Sequence, residues 1–199
     1  GPVGTYSAPH ANKTVHEADL VIYVGSDTSD QITMNWQLPA PGARVVQIDA
    51  DHAELGRNHP GSLGICADAK LALQDLLARL SPREDRGWVA RVRALRGEWE
   101  AEVEPRSASD AKPTTVERLC REVTAALPDD AMLVADTGFS GIWTGTMVAL
   151  NGSGQGYLRA AGSLGWGFPA AIGAQCALRD RPVVCFCGDG AFYYHLPEL

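Results

Sequence analysis

The run Val183 to Gly190, VVCFCGDG, sets a carboxylate between two glycines at the end of an apolar stretch. Gly188 and Gly190 carry no Cβ, so main chain there turns tightly and can approach a bulky group. A carboxylate held between them suits a hard, oxygen-seeking cation such as Mg²⁺. A strand apolar on both faces belongs in the middle of a covered sheet, usually a parallel one, and such sheets bind ligands beyond their strands' carboxyl ends. Asp189 therefore stands where a ligand would stand. From Asp136 to Leu199 the only basic side chains are Arg159, Arg179 and Arg181, and no Lys follows the glycines as a phosphate-binding P-loop requires. A phosphate here must be neutralised by metal and backbone amides. As a bare tripeptide, GDG is also an ordinary tight turn after a strand.

The preceding residues separate these readings. Arg159 to Gly190 reads RAAGSLGWGFPAAIGAQCALRDRPVVCFCGDG. A turn rich in glycine (Gly162, Gly165, Gly167) leads into a small-residue helix expected over Pro169 to Leu178, which stops at an Arg-Asp-Arg-Pro turn and hands over to the strand. In this order and spacing the segment resembles the thiamine diphosphate enzymes, in particular the acetolactate synthase-like decarboxylases and carboligases of 2-oxo acids. In that family a G-x-φ-G turn, a Pro-Ala-Ala helix start and a strand ending in GDG recur.

The resemblance implies roles for individual positions. Asp189 resembles the first Mg²⁺ ligand, with Gly188, Gly190 and Ala191 lining the diphosphate. Leu164 resembles the bulky residue that wedges under the cofactor and bends it, bringing the aminopyrimidine amine close to the thiazolium C2–H so that it can take that proton. The carbonyl of Gly162 resembles the acceptor that orients the amine. Thr137 and Gly138, after the strand Ala131 to Ala135, fall where the family places a turn beside the phosphates. Trp143 and Trp166 are aromatic neighbours able to wall the pocket or simply to fill a core.

The family's remaining metal ligands, an Asn and a backbone carbonyl, come after the GDG turn beyond Leu199, and its general-base glutamate comes from a domain with no counterpart here. The expectation is a fragment of a longer thiamine diphosphate- and Mg²⁺-dependent enzyme, without a complete catalytic set and inactive alone. His195 to Leu199 reads as a capped helix start.

Composition agrees with an ordinary globular protein, long enough for one large domain or two small ones: 199 residues, 45% hydrophobic and 21% charged. A formal charge of −7 argues against nucleic acid or an anionic membrane as partner. No apolar run reaches spanning length. The five cysteines are odd in number and show no CxxC, so reduced thiols in the cytoplasm are expected. Cys185 and Cys187 share one strand face, which leaves a metal pair open. The partners expected are a 2-oxo acid and, in the full-length enzyme, further copies of the same chain.

Periodicity gives the elements that must carry these positions. Alternating helices and strands predict two open, mainly parallel sheets flanked by helices, both incomplete. Residues 1–80 form a nucleotide-binding-like central domain, with strands at Leu20 to Val24, Arg44 to Ile48 and Leu63 to Ala67. Leu73, Leu76, Leu77 and Leu80 follow the N-cap Asp68 at helical spacing and are expected to pack on that sheet as core. Residues 81–112 form a helical linker, and 113–199 the domain for the cofactor. In that last part Thr114 and Glu117 suggest a capping box before the stripe Val116, Leu119, Cys120, Val123 and Leu127. In flavin-containing family members the central domain holds FAD, here near Gly25-Ser26 and Asp49 or Asp51; Asp51 is equally good as a helix N-cap. A nucleotide- or flavin-binding module without thiamine chemistry, and a noncatalytic oligomerising scaffold, are the alternatives.

Overall fold

The computed structural model describes residues 2–82, 84 and 86–199, which form two compact units, 1–100 and 101–199. The first contains α1 (Pro9–Glu17), β1 (Leu20–Val24), β2 (Arg44–Asp49), β3 (Leu63–Cys66) and α2 (Ala69–Arg79), and α3 (Gly87–Ser107) begins in it. The strands are all parallel, in the order β1-β2-β3. Central β2 buries Gln47, whose amide oxygen accepts from Gly56 N and Ser62 Oγ, each at 2.7 Å, so a buried polar side chain is satisfied by the loop it organises. Arg91 of α3 clasps Glu17 of α1 through two 2.7 Å contacts, and His10 lies against Trp99 at 4.6 Å.

The helix following Asp68 is as expected, with the Asp68 carboxylate accepting from Leu71 N at 3.0 Å. Its leucines are not core. Leu73 is 44% and Leu77 74% exposed, and α2 buries no residue. Helical periodicity reports that a face is apolar, not that something covers it. On β1, Leu20, Ile22 and Val24 are likewise exposed.

The second unit continues α3 and contains α4 (Val116–Ala126), β4 (Met132–Ala135), α5 (Phe139–Met147), β5 (Gly156–Arg159), α6 (Gly167–Ala177), β6 (Val183–Phe186), the short α7 (Asp189–Tyr193) and a 3₁₀ turn, Leu196–Glu198. The cap of α4 is Thr115, one residue later than expected, accepting from Arg118 N at 3.3 Å. The sheet is again parallel, ordered β5-β4-β6. Leu133 packs with Leu127, Val123, Tyr157, Val184 and Phe186 on the α4 side. Cys120 of the α4 stripe is fully buried, whereas Leu119 is exposed.

The apolar strand β6 is parallel, but it is an edge strand and each of its residues is only half-buried. The central, covered strand is β4, whose Leu133, Val134 and Ala135 are buried. Both strands read as apolar runs, and pairing order is set by long-range topology that such a run does not encode. The expected helix start at His195 is only the 3₁₀ turn, and α7 occupies the residues just before it.

Candidate functional site

In the second unit the chain leaves β4 for β5 on one side and reaches β6 on the other, so β4 is a switch point, where a parallel sheet opens a crevice at its carboxyl end. Ala135 is in register with both Arg159 and Phe186, which brings the loops after all three strands level.

Asp136 is the fixed point of this end. It is fully buried, and its amide donates to Phe186 O at 3.0 Å. Its carboxylate accepts from Thr137 N at 2.8 Å, Gly165 N at 3.2 Å and Gly167 N at 2.6 Å. Charge-assisted bonds of this kind are about twice as strong as neutral ones. They tie the Gly162 to Gly167 turn to the tip of β4 and so fix where Gly162 and Leu164 stand. A methyl group on Gly167 would lie 2.9 Å from both Asp136 N and Asp136 Oδ2, so only glycine permits this approach. The sequence places Asp136 in the turn after the strand Ala131 to Ala135, where the family resemblance implies phosphates, and gives it no part in holding the Gly162 to Gly167 turn. The available signal was a carboxylate immediately after four apolar residues, opposite a glycine turn with amides to satisfy.

The expected site residues are distributed around that anchor. Thr137 is half-buried, and Gly138, with φ 63°, caps α5. A Cβ added to Gly138, Gly162 or Gly190 would meet nothing within 4 Å, and one on Gly188 only Ser140 Oγ at 3.8 Å. Main chain is therefore bare at the carboxyl ends of both β5 and β6. Leu164 stands out from its turn, 53% exposed. Asp189, the first residue of α7, is exposed, and its side chain has no hydrogen bond or ion pair among the described residues; Ala191 behind it is half-buried. Trp143 lies half-buried on α5, and Trp166 is partly exposed beside Gly165.

Exposed glycine backbone, a free carboxylate and a protruding leucine on one sheet end fit a bulky cofactor with a metal-bound anion. Among the described residues no group of three or more His, Cys, Asp or Glu could hold a metal. A Mg²⁺ at Asp189 would have one protein carboxylate and draw its other ligands from phosphate and water, a donor set Mg²⁺ accepts.

Residues 1–76 match the thiamine pyrophosphate enzyme central domain, and residues 136–199 match the C-terminal TPP binding domain of the same enzymes. The chain belongs to the thiamine pyrophosphate enzyme family. Over its whole length this family member is 31% identical to the acetolactate synthase large subunit of Parasynechococcus marenigrum (strain WH8102), covering 32% of that protein. It is 30% identical to the acetolactate synthase isozyme 1 large subunit of Escherichia coli (strain K12) and 32% to the probable acetolactate synthase large subunit of Methanocaldococcus jannaschii, covering 35% of each. The chain thus spans about a third of the length of the curated relatives it matches.

In the part of this family member that matches the central domain, Gly25 ends β1 with φ 58° and donates to Ile48 O at 2.9 Å. Asp49 and Asp51 each accept a backbone N–H two residues on, at 2.9 Å, so both organise turns, and Asp51 caps no helix. The loop from Ser26 to Ala43 carries no Lys or Arg. A groove of about 790 Å³ does occur in this unit, but Leu20, Arg44 and Leu63 line it, at the opposite, amino ends of the strands.

Two thiols of the second unit are shifted by burial. Burial, and secondarily the neighbouring Cys187, pushes Cys185 up to about 12; burial, then Glu117, pushes Cys120 up to about 11. An unfolded cysteine ionises near 9, so above that pH the unfolded chain releases protons that the fold retains, and stability falls as pH rises from about 9 toward 12. At about pH 8.5, close to where unfolded thiols ionise, iodoacetamide should label exposed Cys66 and Cys176 first, half-buried Cys185 more slowly, and buried Cys120 only on unfolding. Equal labelling rates at all four positions in the native protein would contradict this burial.

Proposed function

We propose that this chain carries the cofactor-anchoring part of a thiamine diphosphate- and Mg²⁺-dependent enzyme that decarboxylates a 2-oxo acid and joins the product to a second carbonyl compound, as acetolactate synthase does. The observation that carries the reading is Asp189, solvent-facing and unpartnered, at the same sheet end as the bare glycines 138, 162, 188 and 190 and the protruding Leu164. Bound there, thiamine diphosphate supplies the reactive thiazolium carbon and the electron sink that cleavage of a 2-oxo acid requires. The chain's part is positional. Asp189 would ligate the metal, and Gly188, Gly190, Ala191, Thr137 and Gly138 would line the diphosphate. The Gly162 carbonyl would accept from the aminopyrimidine amine, and Leu164 would support the cofactor's rings. Asp136 holds that last turn in place without touching the ligand. The apolar faces of α2 and β1 suit an oligomer of like chains, and five free thiols suit a reducing, cytoplasmic setting.

Titrating thiamine diphosphate against tryptophan fluorescence in Mg²⁺ and in chelator tests the reading. Binding should require the metal, and Asp189→Ala should abolish the metal-dependent part. Binding indifferent both to Mg²⁺ and to that substitution would refute it. A second pair of variants separates ligand contact from folding. Gly190→Ala and Gly162→Ala meet no atom of the protein, so stability should change by only about 0.5 kcal/mol or, in the case of helical Gly190, rise by up to about 1 kcal/mol. Both should nevertheless weaken the cofactor, because each methyl group enters the space its diphosphate or amine needs. Unchanged affinity in both would place the ligand elsewhere.

A further inference from the structure

The thiamine diphosphate reading leaves a charge unmatched, and the arginines of the second unit show what matches it. Arg106, Arg118 and Arg121 are paired with Glu117, Asp110 and Glu122, and Glu104 on or beside α3 and α4. Arg181 donates Nε to Asp130 O at 2.8 Å and a terminal nitrogen to Gly154 O at 2.6 Å, which fixes it at the amino ends of the sheet. Arg179 lies in the turn before β6, at that same end.

Arg159 is different. It is the last residue of β5, level with the tips of β4 and β6, so it is the one cation of residues 136–199 at the carboxyl ends. It is exposed, and its side chain forms no hydrogen bond or ion pair among the described residues. Period two sets it on the same sheet face as Tyr157, whose hydroxyl meets Thr144 of α5 at 2.9 Å. The arginine stem accordingly runs along α5. A methyl group built on Gly141 would lie 2.7 Å from Arg159 Nε, 3.3 Å from its Cδ and 3.0 Å from the Asp136 carbonyl. Buried Gly141 thus leaves open the slot that the arginine fills, beside the Asp136 to Gly138 turn rather than along the Gly162 to Leu164 bend.

Free Arg159 ends β5 and free Asp189 follows β6, the two strands on either side of that turn, whose paired ends lie two strand spacings apart, about 9.6 Å. A diphosphate retains negative charge after one divalent ion has bound, and a guanidinium fork suits phosphate oxygens better than any other side chain. We infer that Arg159 is a second anchor for the cofactor's diphosphate, opposite the metal, held in place by the gap at Gly141. The inference rests on the thiamine diphosphate reading, and it assigns Arg159 a binding role rather than a step in the reaction.

Affinities of thiamine diphosphate and of unphosphorylated thiamine, measured by calorimetry in saturating Mg²⁺, test it. Arg159→Met should weaken thiamine diphosphate about tenfold or more, the effect of one charged hydrogen bond. It should leave thiamine unchanged, flatten the salt dependence, and be largely restored in Arg159→Lys. Gly141→Ala should act in the same direction by displacing the arginine. Because Arg159 is exposed, the Met variant should melt like the parent, and circular dichroism checks this. If the parent protein binds no thiamine diphosphate, the reading of the whole site fails. If the parent binds and Arg159→Met binds equally well, this inference alone fails, as it does if only the affinity for a 2-oxo acid such as pyruvate falls.

Discussion

Asp136→Asn should destabilise the second unit by about 3 kcal/mol, although it changes one oxygen to an NH₂ group. Both carboxylate oxygens are occupied by backbone donors: Oδ1 by Thr137 and Gly165, Oδ2 by Gly167 at 2.6 Å. An asparagine must turn its amide nitrogen toward one of these sets. Donor then faces donor in a fully buried place, and the charge that strengthens the remaining bonds is lost. For a unit of this size the corresponding fall in melting temperature is about 12 °C or more. Hydrogen exchange gives the local signature, since the amides of Gly165 and Gly167 should lose protection before those of β4. A variant that melts like the parent with both amides still protected would show that the turn is held by something else. Cofactor affinity should fall with the turn, because Leu164 and Gly162 lose their position.

Gly167→Ala should cost a similar amount by a different route. The added methyl group would be 2.9 Å from Asp136 N and Oδ2 and 3.0 Å from Asp136 Cα, all short, fixed atoms with no flexible end to swing aside. Either α6 moves away or the tip of β4 does. The 2.6 Å bond stretches in both cases, so about 1–3 kcal/mol of overpacking adds to a weakened charged hydrogen bond. Thermal unfolding of Gly167→Ala beside Gly173→Ala, in the same helix and open on all sides, isolates the steric part: the second should be neutral or stabilising. Equal stability in the two variants would mean that the approach of α6 to Asp136 is not tight.

The parts of this fold that were legible in the sequence are those written in local pattern. Runs such as LVIYV and MLVA gave strands, Asp68 gave a helix cap, and the spacing from Gly162 to Asp189 pointed to a turn, a helix and a second turn at one sheet end. The parts that were not legible depend on partners far along the chain. Asp136 meets amides 29 and 31 residues away, and the apolar run before it marks a buried carboxylate without saying which amides it meets. The apolar run of β6 was read as central and is at the edge, because an apolar strand reports the dryness of its faces and not the number of its neighbours. The leucines of α2 were read as core and are exposed, because amphipathicity specifies a wish for a cover without supplying one. In the sequence Arg159 is one of three arginines between Asp136 and Leu199. Its separation from the other two depends on which end of the sheet each occupies, a property of topology alone.

The slot between Gly141 and Arg159 ties two positions 18 residues apart into a single evolutionary unit. A side chain at 141 and a long one at 159 compete for the same volume. Across related sequences the pair should therefore drift together: lineages that shorten residue 159 become free to enlarge residue 141, and those that keep arginine are confined to glycine.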